Sequence, residues 1–483
     1  MLRWPLFPAA LAAAFIVRRY LASGEDLPAA YRALVVLVVL AIVFQLVLGL
    51  ATRSQHRGAF IGGVALTAIL DPLVAPVLLA PVAIPMFGDI LRRRRSSGID
   101  WVRTTAVLNV VAAAVLGLNL AAVAMRLAED LPTGPTTPIG SISASAPDIY
   151  VILLDEYPRA DTLASTFAYD NSPFLEEMRE LGFEVADDSH SNYNATTLSL
   201  VSMFAATQVP ELLGVDETRV VDSWDLQRLL NRGRALEWLH QAGYSITSIT
   251  SGVSRADLLA VDEVIDTGQV TTFETSVLRA GVLPRLLSTV QAEWLHAQQR
   301  DRIMSAFASL REIAASNRTR PRFVFAHVMS PHAPIVFDAR GGPVGPHPCL
   351  PVSCNLWDGR RAPSDLQPTV EQLVYTNNLV VDTVRAIQAD SDVPPVIVVL
   401  SDHGSRHDDV NDPDEMLRNL FLGVTPEHPG LFPGDVTPIN LIPRLLNAYV
   451  DAGLPMATEE SYLVQLNVVL ERGYRSLVPW PQT

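Results

Sequence analysis

Residues 33–52 are apolar from end to end, interrupted only by Gln45. At roughly 1.5 Å per helical residue such a run reaches about 30 Å, the thickness of a bilayer's hydrocarbon layer. It predicts a membrane-spanning helix, and the rest of the chain has to be read around it. Residues 104–126 form a second such run, containing Asn109 and Asn119. Residues 5–22 are apolar but broken by Arg18-Arg19. A signal peptide is the alternative there; because two arginines close the apolar region and more runs follow, an uncleaved anchor is expected. Residues 59–91 are too long for one untilted span, and Asp71-Pro72 sits inside them. This predicts a hairpin of two short spans, 59–72 and 74–91.

Charge orients these spans. Arg53 and Arg57 flank one side of the hairpin, and Arg92 to Arg95 with Arg103 flank the other. The positive-inside rule makes both flanks cytoplasmic, which gives five crossings with the N-terminus inside. Arg18, Arg19 and Arg32 then fall near the outer face, against the rule. Residues 1–127 are expected to form the membrane domain. Residues 128–147, rich in Pro, Gly, Ser and Thr, read as a linker. Residues 148–483 follow as an extracytoplasmic domain of a multi-pass cell-membrane protein. The overall net charge is −15, yet residues 1–126 carry 12 Arg against 5 acidic residues. The outer part is therefore strongly acidic, which excludes a nucleic-acid partner, since phosphate backbones need a basic face. All 36 basic residues are Arg, and no function follows from that. Cys349 and Cys354 lie in a Pro-rich loop. Outside the cytoplasm a disulfide is expected, with a pair of free thiols as the alternative.

Beyond the linker, short β-rich runs at 149–154, 245–250, 323–328 and 395–400 alternate with helical patterns. The helical patterns are at 171–181, 225–241, 300–315, 370–389 and 438–451. This predicts an α/β domain with a mostly parallel sheet. Two of the strands end in acids: Asp155 closes the first, and Asp402-His403-Gly404 follows the last. Active sites of open α/β sheets lie at such strand ends. Carboxylate oxygens beside an imidazole suit a divalent metal such as Zn²⁺ or Mn²⁺. Between them, Ser191-Asn192-Tyr193-Asn194 leads into an apolar helix whose N-cap or first turn holds Thr196 and Thr197. A threonine there is either a structural cap or a hydroxyl nucleophile helped by the helix dipole and a metal.

The order of these parts resembles the alkaline phosphatase superfamily, in its sulfatase-like branch. That branch includes membrane-anchored lipoteichoic acid synthases and phosphoethanolamine transferases. The resemblance is carried by Pro147 to Asp155, Ser172-Pro173-Phe174-Leu175, Ser191-Asn192-Tyr193 with Thr196, Met329 to Pro334, Ser401 to Gly404 and Thr437 to Asn447. It covers roughly residues 147–465 and implies an alkaline phosphatase-like fold. It also implies a metal site of Asp155, Thr196, Asp402 and His403, with Thr196 as nucleophile. His332, His327, Arg406 and His407 are implied as substrate-binding candidates; a packed core histidine is the equal alternative for His327, and plain loop polarity the alternative for Arg406 and His407. One divalent metal ion (Mn, Zn or Mg) is expected, with a second left open. Glu156 departs from the small residue expected beside the metal acid and reads as a second ligand or a solvated side chain. The Cys-x-Pro-x-Arg type sequence that true sulfatases convert to formylglycine is absent around Thr196. The implied reaction is therefore phospho-transfer from a phospholipid or other phosphodiester donor to an envelope glycan or lipid acceptor. A phosphodiesterase, or a membrane sensor without catalysis, is the alternative.

Overall fold

The computed structural model describes residues 4–23, 27–71, 99–128, 146–214, 219–220, 223–268, 270–278, 280–281, 283–345, 366–406, 413–469 and 475–480. The expected span 74–91, linker residues 129–145, Cys349, Cys354 and His407 lie outside them. The chain divides into two compact units. One comprises Met1–Asp130 with Phe273–Gln291; the other comprises Leu131–Thr272 with Ala292–Thr483.

In the first unit, helices run over Phe7–Ser23, Leu27–Ala51, Gln55–Leu70 and Trp101–Leu127. Among the described residues two helices are long and apolar enough to cross a membrane, Ala30–Ala51 and Trp101–Leu127. The expected span 59–72 is displaced, because Ser54 caps the helix from Gln55 by accepting the Arg57 N–H. Val36, Val39, Val43, Val47 and Leu50 stand exposed along the second helix, as lipid-facing residues would. Asn109, polar inside an apolar run, has a packing role. Its side-chain oxygen accepts the N–H groups of Leu6 and Phe7 at 2.9 and 2.8 Å, satisfying the open start of the first helix.

The second unit is built on a seven-stranded sheet, β1 Ile149–Leu154, β2 Glu184–Val185, β4 Ser245–Ile249, β5 Glu263–Ile265, β6 Arg322–Val328, β7 Val396–Leu400 and β8 Phe421–Val424. The spatial order is β2-β8-β7-β1-β6-β4-β5. Strands β7, β1, β6, β4 and β5 are parallel, while β8 and β2 add an antiparallel edge. A separate three-stranded sheet pairs β3 Arg219–Val220, β10 Arg475–Trp480 and β9 Ser461–Val469. The central strands are buried on both faces, which is why they read as continuous apolar runs. Alternate side chains feed two cores. Ile149, Val151 and Leu153 pack with Leu198, Val201 and Trp238, while Tyr150, Ile152 and Leu154 pack with Val380, Val384 and Phe307.

One expected helix, 225–241, is two: Ser223–Leu230 and Arg234–Ala242. Gly233 separates them against the Phe204 carbonyl, where an added Cβ would stand only 2.6 Å from the oxygen. The helical pattern at 300–315 is the end of a longer helix, Leu283–Ala315.

Candidate active site

The parallel pairing of β1 with both β6 and β7 decides what meets at the carboxyl edge. Leu153 is in register with His327 on one side and Leu400 on the other. The chain leaving β1 therefore delivers Asp155 and Glu156 beside Asp402 and His403 leaving β7. The backbone fixes this junction. The Asp155 N–H donates to Val328 O at 2.9 Å, and the His332 N–H donates to Asp155 O at 3.2 Å.

Glu156 takes a left-handed backbone, φ +58°, uncommon for a residue with a long side chain. That turn aims its N–H at Asp402 Oδ1, 3.0 Å away. Its side chain accepts the Arg406 N–H at 2.9 Å through Oε1, and Oε2 lies 3.4 Å from His332 Nε2. The residue is buried, so the solvated alternative is wrong: the left-handed turn drives the carboxylate inward. Ser401, which sequence reasoning passed over, links the two strand ends. Its hydroxyl accepts the Tyr157 N–H at 2.8 Å and donates to His403 O at 2.8 Å. Its position directly before the strand-end acid was the available signal, as the Asp-Glu pair was for Glu156.

The helix Thr196–Ala205 begins at Thr196, and Ala195 occupies the N-cap with no side-chain cap bond. Thr196 is therefore not a cap. Its Oγ1 faces His403 Nε2 at 3.4 Å, a contact made by Thr196 and not by Thr197. The preceding loop is anchored by Tyr462 N–H to Asn192 O (2.8 Å) and Val464 N–H to Asn194 Oδ1 (2.7 Å). Gly404 is required by close approach: a Cβ there would lie 2.2 Å from Glu415 O and 2.6 Å from Arg418 O.

The donor set fits a divalent cation. One ligand atom each from Asp155, Asp402 and His403 lies within 4.8 Å of the others, and Asp155, Glu156 and His332 form a second such group. Asp155 Oδ1 and Asp402 Oδ2 are buried and make no hydrogen bond, although Asp402 Oδ2 stands 3.2 Å from His403 Nε2; two such oxygens are costly unless a cation completes them. His403 directs Nδ1 at Gly404 O (2.7 Å), and a ring that gives that proton to the carbonyl presents Nε2 as a lone pair. Burial alone would raise the Asp155 carboxyl, but the charge of His332 and the hydrogen bond from His327 hold it well below the usual carboxylate range. Burial would likewise lower the His327 imidazole, yet its bond to Asp155 and that carboxylate's charge leave it raised.

The sequence candidates divide as follows. Asp155, Thr196, Asp402, His403, His332 and Arg406 come together at this edge. Arg406 is buried there with its Nε unpartnered, a disposition suited to an anion. His327 lies beneath the edge, with Nε2 3.0 Å from Asp155 Oδ2.

Among curated proteins no relative matches the chain. Solved structures to which the chain is similar include the zinc complex of the C-terminal periplasmic domain of EptC from Escherichia coli, at 13% identity over 71% of this chain and 96% of that one, TM-score 0.45. Another is the integral membrane lipooligosaccharide phosphoethanolamine transferase A from Neisseria meningitidis, at 11% identity over 92% and 83%, TM-score 0.44. A third is the periplasmic domain of the phosphoethanolamine transferase EptC from Campylobacter jejuni, at 13% identity over 63% and 89%, TM-score 0.38. At these values no residue role passes from them to this chain. The sulfatase family profile matches residues 147–431, more than half of the chain, and with the parallel sheet and its strand-end acids already in place, this chain belongs to the sulfatase family of enzymes.

Proposed function

We propose that this protein is a membrane-anchored, metal-dependent phosphotransferase that uses Thr196 as its nucleophile on a phosphodiester, the donor being a phospholipid headgroup. The observation that carries this reading is the Thr196 hydroxyl, free of capping duty and 3.4 Å from His403 Nε2, beside two buried carboxylate oxygens that make no hydrogen bond. Asp155, Asp402, His403 and Thr196 would hold one divalent ion, Mn²⁺, Zn²⁺ or Mg²⁺. When bound, it supplies the charge that lowers the hydroxyl's pKa and offsets the phosphate's own.

Thr196 Oγ1 then forms a bond to phosphorus as the donor's P–O bond to its lipid alcohol breaks. The hydroxyl proton leaves to solvent, solvent protonates the departing lipid alkoxide, and a threonine phosphodiester that keeps the headgroup alcohol remains. His332 and Arg406, gathered around Glu156, bind the phosphate oxygens. An acceptor hydroxyl on an envelope glycan or lipid attacks phosphorus in turn, its proton passes to solvent, and the P–O bond to Thr196 breaks as Oγ1 takes a proton back. The family's usual formylglycine precursor is absent around Thr196, which favours phosphoryl over sulfuryl chemistry. Membrane placement follows the five-crossing reading, with residues 148–483 outside the cytoplasm. The two long apolar helices support a membrane anchor; the other three crossings and the outward placement are part of the proposal.

The test is turnover of a headgroup-labelled phospholipid in mixed micelles by the full chain, with Mn²⁺, Zn²⁺ or Mg²⁺ restored after chelation. Thr196→Ala should lose at least about 10³-fold in rate, a loss on the scale expected when a nucleophile is removed. Thr196→Ser should retain measurable turnover. Both variants should fold, because no cap bond is lost. Full activity in Thr196→Ala would remove the nucleophile. Headgroup release to water alone, whatever alcohol is added, would make the enzyme a phosphodiesterase.

A further inference from the structure

His327 was a substrate-binding candidate with a packed core histidine as its alternative, and it lies buried beneath Asp155. It belongs to β6, in register with Leu153, and is 1% exposed. Its Nε2 lies 3.0 Å from Asp155 Oδ2, while its Nδ1 has no partner. A carboxylate can only accept, so the proton of this bond sits on Nε2. Asp155 is thereby divided into two unlike oxygens. Oδ2 is engaged from below by the imidazole, and Oδ1 is buried with no donor. Oδ1 also lies 4.0 Å from His332 Nε2, on the side where the other site groups gather.

We propose that His327 is a positioning residue that makes Asp155 a one-oxygen metal ligand. It pins Oδ2, fixes the plane of the carboxylate and leaves Oδ1 to face the cation. The inference rests on the reading above that Asp155 is a ligand. The surroundings reinforce it. The Asp155 backbone is tied to the same strand through Val328 O and to His332 N, so strand β6 holds this residue by main chain and side chain together. With both backbone groups bonded, rotation of the carboxylate is the remaining freedom, and the imidazole removes it. Outer hydrogen bonds of this kind commonly account for 10–100-fold in metal affinity.

The experiment compares His327→Leu, His327→Asn and His327→Gln in the full-length, detergent-solubilised protein. Mn²⁺ affinity is measured by the electron paramagnetic resonance signal of free ion, and kcat and KM are measured at saturating Mn²⁺. Glutamine places its amide N–H near the position of Nε2; asparagine reaches only as far as Nδ1. Leu and Asn should therefore weaken Mn²⁺ binding about 10–100-fold, while Gln stays within about threefold of wild type. At saturating Mn²⁺ the KM for the lipid donor should be unchanged in all three. Wild-type Mn²⁺ affinity in the Asn variant, or in Leu, would overturn the proposal. Unchanged affinity with a raised KM would do so as well and would return His327 to the substrate. If Leu fails to fold, Asn against Gln still decides the matter. Asp155→Asn is the control: if it leaves Mn²⁺ affinity intact, the ligand assignment itself is wrong. If it weakens binding while Leu and Asn at 327 do not, only the positioning role fails.

Discussion

Glu156 offers a measurement of the strain held at the site. Its φ of +58° is a conformation that costs a residue with a Cβ about 1–2 kcal/mol. Glycine adopts it freely but loses about 0.4–1 kcal/mol to alanine through the unfolded chain. Glu156→Gly and Glu156→Ala both delete the carboxylate, and with it the bond to the Arg406 N–H and the approach to His332. Those losses cancel in the comparison, and only the backbone differs. At an ordinary helical or extended position alanine is the more stable of the two. Here the order should invert, with the Gly variant ahead by about 1 kcal/mol, the strain less the entropy. In a unit of this size that is a rise of about 2 °C in the unfolding midpoint. The assay is thermal unfolding of the chelator-treated protein in detergent, followed by intrinsic fluorescence, with both variants run side by side. An Ala variant equal to or more stable than Gly would mean that the left-handed turn stores no strain. The inward aim of Glu156 would then need another cause.

Three further outcomes are expected. Restoring Mn²⁺ or Zn²⁺ to the chelated protein should raise its midpoint, by about 2.7 kcal/mol of stability at a hundredfold excess over Kd, and Asp402→Asn should lose most of that rise. Tyr150 is pushed up to about 12 by burial and its hydroxyl is buried with no partner. Tyr150→Phe should therefore leave stability equal or raise it by up to ~1 kcal/mol, and a loss above that on urea unfolding would show a hidden partner. The Asp414 carboxyl is held low by His190 beside it and by hydrogen bonds from Arg418 and Trp480. Its folded-state value lies below its unfolded one, so its stabilisation is complete above the ordinary carboxyl value of about 3.9 and is lost as pH falls below that. Midpoints recorded from about pH 5 down to about pH 2 should fall less steeply in Asp414→Asn than in wild type.

The central strands were legible because burial on both faces leaves a continuous apolar run. Ile149–Leu154 and Val396–Leu400 lie within a residue of their expected limits. The edge was not legible. Strand β8 spans four residues and pairs antiparallel, and β2 spans two; neither length gives a pattern to count. The break at Gly233 was hidden as well, since it depends on the Phe204 carbonyl, distant in sequence. At the site, residue types at strand ends and the order of motifs pointed to Asp155, Thr196, Asp402 and His403. The choice between Thr196 and Thr197 needed the helix start, because one residue of phase turns a side chain through about 100°. The placement of His327 under Asp155 needed the β1–β6 register, which no local pattern encodes.

That register also has a consequence in time. Strand β1 is six residues long and apolar on both faces, and its parallel neighbours begin only at Arg322 and Val396. A growing chain holds it without either partner while most of the intervening protein is made, and non-local parallel pairing of this kind is slow. Chains ending before Asp402 should therefore be aggregation-prone and devoid of metal affinity, not partly active. The bond from Glu156 N–H to Asp402 closes across 246 positions, so the centre comes into existence only with the last strand of its trio. Cation uptake by this protein would then report that β1, β6 and β7 have been made and paired, before the antiparallel edge strand β8 is required.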